Sequence, residues 1–92
     1  MVIRKSYDVC KLLEERMDAI MKLDKSSQIS VIGSFMELYS MTRDLETIRF
    51  KLRGARNREI IDGLMLDGNI LISCAELEAQ YIDSMTLEEG PE

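Results

Sequence analysis

Apolar residues in the first quarter of the chain recur at helical intervals. Val9, Leu12, Leu13, Met17, Ile20 and Met21 share one side of a helix over about 7–23, and Lys11, Glu14, Glu15, Asp18 and Lys22 take the other. Ser6 is the expected N-cap of that helix. Asp24-Lys25-Ser26-Ser27 breaks the pattern and supplies the cap of a second helix, which starts near Ser27 or Gln28 and runs into the forties. Val31, Phe35, Leu38, Leu45 and Leu52 trace its apolar stripe, widened by Ile32, Met36 and Tyr39. Two such helices joined by a short turn predict an antiparallel hairpin. Gly33 inside the second helix costs about 1 kcal/mol against alanine, which predicts a neighbouring backbone close by.

Residues 46–73 read in two ways. Ile48, Phe50 and Leu52 alternate with Arg49, Lys51 and Arg53 as a strand would, yet Leu45, Ile48 and Leu52 also sit at helical spacing. Gly54 suits a helix C-cap or a turn. Asp67-Gly68 lies between apolar triplets, which signals a β-hairpin, but Asp67 could equally cap a helix that starts at Gly68 or Asn69. Ser73-Cys74-Ala75-Glu76 matches a capping box, so a helix over about 74–86 follows under either reading, with Leu77, Tyr81 and Met85 on one stripe and Cys74 and Ile82 beside it. The expected fold is a predominantly α single domain of three to four helices over 1–87, with a frayed acidic tail over 88–92. A short β-hairpin at Asp67-Gly68 is the α+β alternative.

Composition limits the chemistry. The chain has 92 residues, 46% of them apolar and 32% charged, which are globular proportions. A core of this size is thin, so dimerisation or partner binding is an expected source of further stability. There is no histidine, so the usual base near neutral pH is missing and a cysteine nucleophile would have no imidazole beside it. No glycine-rich phosphate loop is present. Two cysteines, Cys10 and Cys74, are too few for a zinc site and read as buried free thiols in a reducing cytoplasm. The longest apolar runs are three residues, far short of a membrane span. An enzyme is not expected, and neither is a cofactor or metal.

Charge is what singles this chain out. The net charge of -5 conceals a separation: residues 59–92 carry nine acids and no base, a local charge of -9. Residues 43–58 carry six bases against two acids, for +4. Such asymmetry speaks to partners rather than to fold. The expected function is that of a small acidic interaction protein binding a basic surface through Glu59, Asp62, Asp67, Glu76, Glu78 and Asp83. Its most specific form is a DNA mimic that inhibits a DNA-binding protein or nuclease. In size and charge the chain resembles the small phage-encoded anti-restriction proteins, which use rows of carboxylates in place of phosphates.

Three alternatives stand beside it. The acids could instead pair with the 43–58 bases, within the chain or across the expected homodimer. A helical adaptor or chaperone would offer Met21, Met36 and Met41 to a partner helix. A nucleic-acid-binding regulator would use Arg49, Lys51, Arg53, Arg56 and Arg58 on phosphates, against the repulsion of the overall negative charge.

Overall fold

Each of the three helices follows a heptad. Val2, Ser6, Val9, Leu13, Arg16, Ile20 and Leu23 are spaced alternately four and three apart, as are Ile61, Met65, Gly68, Ile72, Ala75, Ala79 and Ile82. Val31, Leu38, Leu45 and Leu52 recur every seven. That spacing keeps one seam of each helix turned toward its neighbours, as in coiled coils. The computed structural model describes residues 2–89, with side chains from 2 to 86. It is an up-down-up bundle of α1 (Val2–Met21), α2 (Lys25–Gly54) and α3 (Arg58–Glu89), with no strand among the described residues. The β-hairpin alternative at Asp67-Gly68 is therefore not needed: the whole of 58–89 is one helix.

The core runs along the axis. Val2, Val9, Ile20, Val31, Leu38, Leu45, Ile48, Ile72, Ala75, Ala79 and Ile82 are buried in it, flanked by half-buried Leu12, Leu13, Phe35, Met41, Leu52 and Leu64. Two buried hydroxyls are satisfied locally. Ser6 Oγ donates to the Ile3 carbonyl at 2.7 Å, and Thr42 Oγ1 to the Tyr39 carbonyl at 2.6 Å. Ser6 is thus an interior position and not the N-cap expected from sequence, because α1 begins four residues earlier.

The turns are set by capping. Asp24 Oδ1 accepts the Ser27 amide at 2.9 Å and opens α2 at Lys25. Hydrogen bonds from the Ser27 side chain and then its amide lower the pKa of the Asp24 carboxyl. Gln28 Nε2 reaches back to the carbonyls of Met21 and Leu23, so the end of α1 is closed by a side chain of α2. Asn57 Oδ1 accepts the amides of Glu59 and Ile60 and starts α3. The capping box expected at Ser73–Glu76 lies in mid-helix, with both of those residues exposed. The tail expected over 88–92 falls mostly outside the described residues, since α3 is assigned through Glu89 and 90–92 are not described.

The molecule is long and lean. Its extents are 53 × 18 × 16 Å and its radius of gyration is 15.1 Å, against about 12 Å for a globular chain of this length. Its accessible surface is 6560 Å², where about 5,500 Å² is usual for this mass. α1 is also the shortest helix. Its first residue, Val2, packs on Gly68, so α2 and α3 continue past it as a pair, and no residue from Arg49 to Asp67 is buried.

The glycines divide by surroundings. A Cβ at Gly68 would stand 2.6 Å from Val2 Cγ1, and this is the glycine that permits close packing. Gly33, where the sequence suggests a close neighbour, has nothing within 4 Å, and neither does Gly63. Gly33→Ala and Gly63→Ala are each expected to raise stability by about 0.5–1 kcal/mol, because they reduce unfolded-state freedom at no steric cost. Gly68→Ala is expected to lower it, since Val2 is β-branched and buried. Thermal unfolding of the three variants checks this ranking; a gain at Gly68 matching that at Gly33 would refute it.

Candidate protein-interaction surface

α3 buries Ile72, Ala75, Ala79 and Ile82 on its inner side but leaves four large apolar residues outside. Ala75 and Ala79 are at most 1% exposed, whereas Leu66, Ile70, Leu77 and Tyr81 are 55–65% exposed. At 3.6 residues per turn these four fall within about 60° of arc, on the side away from the core seam. Gly63, Ser73 and Ser84 complete that face, so nothing charged lies on it between Gly63 and Ser84. The stripe that the sequence suggests for this helix, Leu77-Tyr81-Met85, thus follows the outward seam in its first two members; only Met85 is half-buried, against the core.

The carboxylates flank this stripe. Asp83 lies on the α1 side, where it meets the Arg16 guanidinium, and by periodicity Asp62 and Glu76 share that edge. Asp67 lies on the α2 side, in a shallow hollow with Asp44, Thr47 and Ile48, and Glu78 shares that edge. Glu59 continues the line of the stripe at its N-terminal end. Five of the six acids named from sequence therefore form two rails, with Glu59 between them at the N-terminal end, and not one patch.

Few of these charges are compensated. Asp83 is engaged: Arg16, only 13% exposed along its side chain, bonds it while Arg16 Nε donates to the Ala79 carbonyl at 3.4 Å. Asp62 lies 3.8 Å from Arg58, a contact between two largely exposed side chains that contributes little. Glu59, Asp67, Glu76 and Glu78 form no ion pair among the described residues. Among the described residues, pairing of these acids with the 43–58 bases is thus confined to Arg58–Asp62.

The bases gather where α2 ends. Arg49 is half-buried; its guanidinium lies over the Tyr7 ring, 4.3 Å from the centroid, and donates to Ser6 Oγ at 2.9 Å. Lys51, Arg53, Arg56 and Arg58 are exposed. Arg49, Lys51 and Arg53 line an open hollow with Tyr7 and Phe50, the latter 75% exposed.

A second apolar face lies between α1 and α2. Met17, Met21, Ile32 and Phe35 line one groove there, continued by Met36 and Tyr39. Ile32, Met36 and Tyr39 are exposed and do not widen the core stripe as the sequence suggests. Of the three methionines named for an adaptor, Met21 and Met36 are exposed and Met41 packs against the core. Cys74 is exposed and Cys10 half-buried, and both are free, so the expectation of two buried thiols fails. No cluster of three or more metal-ligating side chains is present among the described residues, and no helix among them is long and apolar enough to cross a membrane.

No protein-family model, curated protein or solved structure matches this chain.

Proposed function

We propose that this protein is a non-enzymatic interaction module, which meets a basic surface of another protein with the outward side of α3. One observation carries the reading. Four carboxylates of that helix, Glu59, Asp67, Glu76 and Glu78, stand exposed or half-exposed without a counter-ion among the described residues. A field of one sign on a rigid rod raises the association rate with an oppositely charged partner and selects against acidic ones. The two free thiols fit a reducing cytoplasm as its place of work.

The test is capture of basic proteins on the immobilised protein at low and high salt. Reversing Asp62, Glu76 and Glu78 to lysine is expected to weaken retention by about tenfold or more and to flatten its salt dependence. Asp83 is left in place because Arg16 depends on it. Unchanged retention in the triple variant would remove the acidic rails from the binding surface. Added duplex DNA provides a further arm: displacement of the captured protein by DNA assigns the DNA-mimic form, and indifference to DNA excludes it.

A second reading has its own observation. The groove of Met17, Met21, Ile32 and Phe35, with exposed Met36 beside it, has the soft side chains of an adaptable helix-binding surface. Capture that persists at high salt and is lost in Met21→Ser/Met36→Ser would favour it over the acidic face.

A further inference from the structure

α3 has two seams, and the bundle uses one. The inner seam is Ile61, Met65, Gly68, Ile72, Ala75, Ala79 and Ile82. The outer one, Leu66, Ile70, Ser73, Leu77, Tyr81 and Ser84, has the same intervals of three and four, yet it faces solvent. Pairs of large residues, Leu66-Ile70 and Leu77-Tyr81, are each followed by a serine, which gives knobs and gaps of the kind a second helix fills. From Leu66 to Tyr81 the seam is about 22 Å long, which a partner helix of about 15 residues would cover. Exposed leucine, isoleucine and tyrosine on a helix that already has a core side are more than scattered surface apolarity.

The rails decide what lies on the seam. α3 has eight acids and one base, Arg58 at its first residue. A second copy of α3 laid along the first would bring two such sets together in either direction, and like charges flanking a helical seam oppose pairing. A neutral apolar helix would leave the carboxylates with nothing to meet. We infer that the outward seam of α3 is the seat of an amphipathic helix from another protein, apolar along its own seam and lysine- or arginine-rich on both flanks. This rests on the proposed reading of α3 as a surface for basic partners and specifies the partner's shape: a helix, and not an extended basic segment or a flat basic surface.

Fluorescence anisotropy with three labelled three-heptad peptides separates the two claims on the full 92-residue chain. The first peptide has leucine at a and d and lysine or arginine at e and g. The second has the same charges with serine at a and d. The third has the leucines with glutamate at e and g. The first is expected to bind, the second about thirtyfold or more weakly, and the third not at all. Leu66→Ser/Ile70→Ser/Leu77→Ser is expected to lose the first peptide by a similar factor with its helical circular dichroism retained, since all three residues are exposed.

If the serine peptide binds as tightly as the leucine peptide, helix docking is overturned while the acidic-surface reading stands. If neither basic peptide binds, both are overturned. If the wild type sediments as a dimer that the serine variant abolishes, the seam is occupied by a second copy and the inference fails.

Discussion

Truncating Leu38 to alanine is expected to lower the stability of the bundle by about 2–5 kcal/mol, and the same truncation at Leu77 to change it by about 0.5 kcal/mol or less. The two residues are chemically identical and both sit in helices, so the difference is one of position alone. Leu38 is fully buried between Val31 and Leu45 on the seam of α2, where its removal leaves a cavity that a close-packed interior cannot fill. Leu77 is 65% exposed on the outward side of α3. Against a total of about 5–15 kcal/mol, the Leu38 variant loses a large part of the folding free energy. Urea denaturation reads this as a midpoint lowered by about 1–3 M for Leu38→Ala and one little moved for Leu77→Ala. Comparable losses at the two positions would mean that α3 turns its large residues inward, and the account of the outer seam would fall with that result.

The pair of Arg16 and Asp83 yields the second large effect, and it is asymmetric. Arg16 occupies a heptad position of α1 that its neighbours fill with Leu13 and Ile20, and its side chain is 13% exposed; Asp83 is 50% exposed. Asp83→Ala leaves the guanidinium with Glu15 at 3.0 Å and the Ala79 carbonyl, but without its carboxylate on α3. That loss is expected to cost about 1–3 kcal/mol. Arg16→Met, by contrast, puts an apolar chain of similar length into an apolar seam and leaves only a half-solvated carboxylate behind. Its expected change is from neutral to about 1 kcal/mol stabilising. The double variant Arg16→Met/Asp83→Ala should recover most of what Asp83→Ala loses. Denaturation of the four proteins completes the cycle; equal losses in the two single variants would show that the pair acts as a surface contact and not as an interior one.

Much of the fold is legible in the chain because the core residues of α1 and most of α2 recur at helical intervals and Asp24 interrupts them. The difficulty over 46–73 has a physical origin. Phe50 is 75% exposed while Ile48 is buried and Leu52 half-buried, so apolar residues on two sides of one helix produce a spurious period of two. Asp67-Gly68 resembles a hairpin turn, but the glycine is there because Val2 packs on it. Asn57, the actual cap of α3, is hidden between Arg56 and Arg58 in what reads as a basic run.

The candidate surface was legible in part. The acids were identifiable by count, and their arrangement was not, because a helix divides a list of residues between two edges according to intervals that charge totals ignore. Part of the outer seam shows in the sequence as the stripe of Leu77 and Tyr81, but residue size, the usual guide to burial, does not tell which side of the helix that stripe takes. The signal that would have separated the seams is the unbroken four-three spacing from Ile61 through Ile82, carried in part by glycine and alanine.

The overhang of α2 and α3 past the start of α1 divides the rod into unequal cooperative units. Between Arg49 and Asp67 the half-buried residues are Leu52, Ala55 of the connecting turn, Ile61, Leu64 and Met65, and none is fully buried. Opening there exposes little apolar surface, so this tip can separate and re-form at a small fraction of the free energy needed to unfold the three-helix section. Arg53, Arg56 and Arg58 lie on that tip, and Glu59 and Asp62 follow them. The rod thus presents its longest described stretch without a buried residue beside bases and acids in close succession, and a partner that grips the tip would meet both without touching the interior farther along.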